Sequence, residues 1–109
     1  MIISAREIEN LSIKDQAYVL NRFMFYLTIV VRDLYTSDTS EFEDKFYAIN
    51  GLYHQIIPFI GCLMFDRKSS FTLDVICQNI QDTGATHDLE HHFSTAWRFS
   101  LQQAGISET

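Results

Sequence analysis

The sequence predicts an all-α fold: an antiparallel four-helix bundle with a short N-terminal helix and a Pro-kinked second helix. Three observations predict it. Apolar residues recur at alternating spacings of three and four over long stretches, the signature of one helical face. Strand-like alternation is nowhere sustained. Only four Gly and one Pro punctuate 109 residues, too few for the many turns of a β-sandwich.

Each element has its own signals. "SARE" (Ser4–Glu7) has the capping-box pattern and opens the short N-terminal helix. Ser12 starts the first long helix. Its stripe is Ile13, Ala17, Leu20, Met24, Leu27, Val31 and Leu34, and "TSDTS" at Thr36–Ser40 breaks it. Ser40 and Glu43 form a second capping box. The next stripe is Phe42, Phe46, Ile49, Tyr53, Ile56, Ile60 and Leu63, with Pro58 inside it. A proline lacks the backbone donor and crowds the preceding turn, so it predicts a kink near residues 54–58. "DRKSS" connects to a third helix over Phe71–Thr83, with Leu73, Ile76, Cys77 and Ile80 inward and Gly84 as its stop. Thr86 then caps a fourth helix, His87–Ala104, ended by Gly105. Short connections make sequential helices antiparallel neighbours. The length fits a single domain over residues 1–109.

Composition narrows the function. Eight Lys and Arg stand against fourteen Asp and Glu, a formal net charge of −6, which argues against a nucleic-acid footprint and against an anionic membrane surface. The longest apolar run, Phe23–Val31, is far shorter than the ~20 residues that span a bilayer. The N-terminus shows no basic region followed by an apolar core, so no secretory signal is read. Cys62 and Cys77 stand singly, as small apolar residues in a reducing compartment do, and the expected location is cytoplasmic. No P-loop, G-x-S-x-G or G-x-G-x-x-G occurs, and no catalytic residue is assigned.

"THDLEHH" (residues 86–92) holds three of the four histidines. On the fourth helix Leu89, Phe93, Ala96, Trp97, Ser100 and Ala104 form the core side. His87 and His91, four apart, fall on the opposite side, and His92 sits at the core edge beside Phe99. His87 and His91 are therefore candidate ligands for a surface divalent metal, the only cofactor the sequence suggests. The competing reading is a polar first helical turn in which Asp88 and Glu90 complement the helix dipole.

The first helix carries more apolar residues than one stripe needs, and its core side, including Phe23, Tyr26 and Val30, is wide. Opposite its core side stand Tyr18, Phe25 and Ile29, with Arg22 and Arg32 interleaved. Aromatic residues beside arginine are the composition of interface hot spots. Either the N-terminal segment or a neighbouring helix covers this face, or a second subunit does, most simply in a two-fold dimer. The expected function is a small non-catalytic interaction or regulatory module acting as a homodimer through Tyr18, Arg22, Phe25, Ile29 and Arg32. The alternatives are a metal-binding bundle using its surface histidines and an acidic immunity-type or decoy inhibitor of a basic partner.

Overall fold

In the computed structural model, which describes residues 3–37 and 41–106, the helical periods close into four helices. They are α1 (Ile13–Ser37), α2 (Phe42–Met64), α3 (Leu73–Thr86) and α4 (Glu90–Gln103), preceded by a 3-10 turn at Ala5–Glu7. No strand occurs among the described residues. Helix α1 packs against α2 and α4, and α3 packs against the same two, so α1 and α3 lie on opposite corners of an antiparallel bundle. Each helix thus keeps one side away from the bundle axis.

The core is built around Phe23, which is fully buried. Its ring meets Phe93 edge-on at 6.0 Å and Trp97 edge-on at 5.7 Å. Such pairs add about 0.5–1.5 kcal/mol beyond the area they bury. Leu20, Leu27, Ile49, Ile56, Ile76, Ile80, Leu89 and Leu101 close around them. Ser100, also fully buried, satisfies its hydroxyl by donating to the Ala96 carbonyl at 2.7 Å. The Asn79 amide on α3 donates to Gln55 Oε1 on α2 at 2.8 Å.

The N-terminal segment is tied down by side-chain bonds from the helices. Ser4 caps the 3-10 turn by accepting from the Arg6 N–H at 3.2 Å. The Glu7 carboxylate does not complete the predicted capping box: it accepts instead from the indole N–H of the buried Trp97 at 2.9 Å. A buried indole donor left unpaired is costly, so the carboxylate is worth more there than at an exposed turn. With the Ile3 N–H donating to Gln81 Oε1 at 3.0 Å, the segment lies over α3 and α4. Gln16 of α1 holds the end of the segment, donating to the Glu9 and Leu11 carbonyls at 3.1 Å, while Tyr18 and Phe25 further along α1 stay exposed.

Several boundaries differ from the sequence reading. Ser12 does cap α1, accepting from the Asp15 N–H at 3.1 Å. Ser40 lies outside the described residues, and Glu41 stands at the N-cap of α2 with no side-chain cap bond. Helix α2 continues through Pro58 to Met64, leaving the His54 carbonyl without the donor that an ordinary residue 58 would supply. Thr72 caps α3 by accepting from the Val75 N–H at 3.2 Å. The largest correction concerns Gly84. It does not stop α3 but lies buried within it, and α4 starts at Glu90 rather than at His87. The left-handed position between them is filled by Asp88, with φ 56°. The Leu89 N–H reaches back to the Gly84 carbonyl at 2.8 Å, which is the Schellman closure. Asp66 (φ 52°) and Gly105 (φ 78°) end α2 and α4 by the same device, with Arg67 donating to Cys62 and Ile106 to Leu101. Gly84 serves packing instead: a Cβ there would stand 3.1 Å from the Phe93 ring.

The buried side of α1 is wide, as its apolar excess predicts, and slightly rotated. Ile13 is half exposed, whereas Phe23 and Val30 are buried, because α1 is gripped from two sides by α2 and α4. On α2, Leu52 and Phe59 join Ile49 and Ile56 in the core. Phe46 instead stacks on Phe42 at 5.6 Å, near the exposed Tyr35 at the α1–α2 end.

Candidate functional site

The outer side of α1 stays open to solvent. Exposed positions recur along it at alternating spacings of four and three: Lys14, Tyr18, Asn21, Phe25, Thr28, Arg32 and Tyr35. This is a straight crest along the helix. Tyr18 is 41% exposed and Phe25 49%, large values for rings with no covering element. Among the described residues neither the N-terminal segment nor a neighbouring helix lies over them.

The five residues expected at this surface divide into two rows. Tyr18, Phe25 and Arg32 stand on the crest. Arg22 and Ile29 are half buried on the flank that faces α4. There Arg22 folds onto its neighbours: the guanidinium carbon lies 4.6 Å from the centre of the Phe25 ring and 5.2 Å from that of Tyr26. Its Nη2 donates to the Tyr26 hydroxyl at 3.4 Å, while its Nε is buried without a hydrogen-bond partner. Phe25 meets Tyr26 edge-on at 5.5 Å, and Tyr26 meets Phe99 of α4 at 5.6 Å. Phe99 is itself 46% exposed, so the apolar surface extends from α1 onto α4. The residue could have been found from the sequence, because it lies off the core side of α4 yet is aromatic.

A groove flanks the crest on each side. Between α1 and α4 runs a half-open groove of about 260 Å³. Tyr26, Ile29 and Phe99 line one end, and Asp33, His91 and His92 the other. Between α1 and α2 a shallower groove of about 300 Å³ is lined by Met24, Phe25, Tyr53 and Ile57. The Tyr53 hydroxyl donates to the Met24 carbonyl at 3.3 Å and sits 3.2 Å from Thr28 Oγ1. Burial raises the Tyr53 pKa above its ordinary value, and the bond from Thr28 partly opposes the rise.

The two histidines singled out as candidate metal ligands stand on either side of the α3–α4 turn. His87 is the C-cap of α3, and its Nδ1 donates to Asp44 Oδ2 at the start of α2 at 2.8 Å. His91 lies on α4 beyond the Asp88 turn, beside His92 with ring centres 6.1 Å apart. The two candidate ligands therefore belong to different helices, which corrects the placement of both on one face of α4. Among the described residues no group of three or more His, Cys, Asp or Glu side chains is placed to hold a metal ion. The His92 pKa is lowered, first by burial, then by His91 and Lys45, with Asp33 and Asp88 opposing. His54 is exposed on α2.

No helix among the described residues is long and apolar enough to cross a membrane. Comparison with models of known protein families, with curated proteins and with solved structures finds no match.

Proposed function

We propose that this chain is a small non-catalytic protein-interaction or regulatory module that works as a homodimer, with the outer side of α1 as its contact. One observation carries the reading: a chain of ring contacts, Phe25 to Tyr26 to Phe99, remains exposed or half exposed with Arg22 laid over Phe25 and Tyr26, and Tyr18 stands exposed two turns away on the same helix. Water gains nothing from such a row, whereas a partner surface gains apolar area and the aromatic–Arg contacts typical of hot spots. Arg22 adds preorganisation. Its side chain is already held on two rings, so less conformational entropy is lost when a second surface closes over it.

A cytoplasmic setting belongs to the same reading, supported by two free cysteines far from any pairing arrangement. The metal-binding alternative would use His87 and His91, and it would have to compete with the bond from His87 to Asp44. The test of the main reading is Phe25→Asp. A charge in the middle of the crest leaves the core untouched, so the variant stays folded by circular dichroism and sediments as a monomer. A folded variant that sediments as a dimer would place the contact elsewhere.

A further inference from the structure

The crest on α1 is symmetric in its chemistry. Tyr18 and Arg32 each stand seven positions from Phe25, on opposite sides. Asn21 and Thr28 stand four and three away, and Lys14 and Tyr35 eleven and ten. All of them are exposed. Such a sequence can be folded back on itself. If two copies of α1 meet antiparallel and cross at Phe25, Tyr18 of one copy comes directly opposite Arg32 of the other, and the remaining crest residues meet a residue of complementary kind to within one position. The two Phe25 rings meet each other. Asn21 faces Thr28, a donor–acceptor pair. Tyr18 faces Arg32 and Lys14 faces Tyr35, each a cation over an aromatic ring.

A parallel pairing gives the reverse. Lys14 would face Lys14 and Arg32 would face Arg32, two like-charge contacts along one helix pair. Juxtaposed like charges at an interface select strongly against an arrangement. The charge pattern of the crest therefore distinguishes the two directions, and apolar content alone would not. Arg32 is free to turn: its ion pair with the adjacent Asp33, at 3.3 Å, is between side chains 70% and 58% exposed, and such surface pairs contribute little.

We propose that two copies of this chain associate through α1 helices that run antiparallel about a two-fold axis at Phe25, each Tyr18 ring receiving the Arg32 guanidinium of the other copy. This inference rests on the homodimer reading above and adds the direction and register of the contact. An isologous contact of this kind closes on itself and stops at two subunits.

Two experiments on the full chain test it. In a Cys62→Ser background, Tyr18→Cys and Arg32→Cys chains are oxidised mildly, alone and mixed. The antiparallel register gives a covalent dimer in the mixture and little from either chain alone. Covalent dimers formed from Tyr18→Cys alone and from Arg32→Cys alone would overturn the register, as would a dimer that yields no cross-link in any combination. The second experiment needs no cysteine. Arg32→Glu removes the cation and weakens association by roughly tenfold. Adding Tyr18→Lys to the same chain restores it, because each new lysine faces the new glutamate of the other copy. Failure of the double variant to recover overturns the register. Sedimentation of the unmodified chain separates the two levels: a monomer rejects the homodimer reading itself, whereas a dimer with the wrong cross-links rejects only the direction.

Discussion

The Arg22 guanidinium lies over the Phe25 ring, 4.6 Å from its centre, where the exposed crest of α1 meets the flank that faces α4. The contact orders a ring that would otherwise be free to turn in water. A cation–π pair stabilises by about 0.5–1 kcal/mol at an exposed site, a small share of the stability of the fold but enough to shift an association equilibrium several-fold. Arg22→Ala is expected to lower the thermal unfolding midpoint by roughly 2–6 °C and to weaken self-association about twofold to fivefold. Analytical ultracentrifugation across a concentration series reads the effect.

The turn between α3 and α4 places its residues against the usual preferences. Gly84 is inside a helix and Asp88 holds the left-handed position. Asp88→Gly removes the steric cost of a left-handed non-glycine residue and is expected to stabilise by about 1 kcal/mol. Gly84→Ala has the opposite sign. The helix propensity gained is about 1 kcal/mol, but the added methyl meets the fully buried Phe93 ring, and overpacking costs about 1–3 kcal/mol. Urea unfolding of the two variants measures both signs.

The two thiols should differ sharply. Cys77 is buried, and burial first, then the nearby Asp74 and Glu7 carboxylates, push its pKa up to about 12. At pH 8 roughly one molecule in ten thousand carries that thiolate, the reactive form. Cys62 is only half buried. A disulfide reagent is expected to titrate one thiol per folded chain at pH 8 and two in denaturant. Rapid reaction of both in the folded chain would mean that α3 opens readily.

The pH dependence follows from His92 in the α1–α4 groove. Its folded pKa lies below the ordinary histidine value of about 6.5, because burial, His91 and Lys45 oppose its charge more than Asp33 and Asp88 favour it. The unfolded chain then binds the proton more readily, so stability is fully present above about pH 6.5 and is lost as pH falls through the folded pKa. His92→Gln is expected to flatten the dependence of the urea midpoint on pH in that window. An unchanged slope would assign the dependence to other groups.

Much of the fold is legible in the sequence, because a four-helix bundle needs little more than the helical period and its breaks. The α4 core side, Leu89, Phe93, Ala96, Trp97 and Ser100, stands as its spacing predicts. The α3–α4 boundary was not legible. The general preference puts glycine at a helix end, and here an aspartate takes that conformation while the glycine makes room for a phenylalanine. Contacts between distant positions, such as Glu7 with Trp97 and Asp44 with His87, leave no local pattern at all. The candidate surface is intermediate. Its crest residues show in the sequence as an apolar excess opposite the core. The folding of Arg22 onto two rings and the extension through Tyr26 to Phe99 arise only from the packing of α4 beside α1.

The most direct test is sedimentation equilibrium of the unmodified chain from about 1 to 100 μM, concentrations at which a specific contact of ordinary size is populated. The account predicts a monomer–dimer equilibrium, with mass rising to twice that of the 12.7 kDa chain and no further. A single monomeric species throughout that range would contradict it.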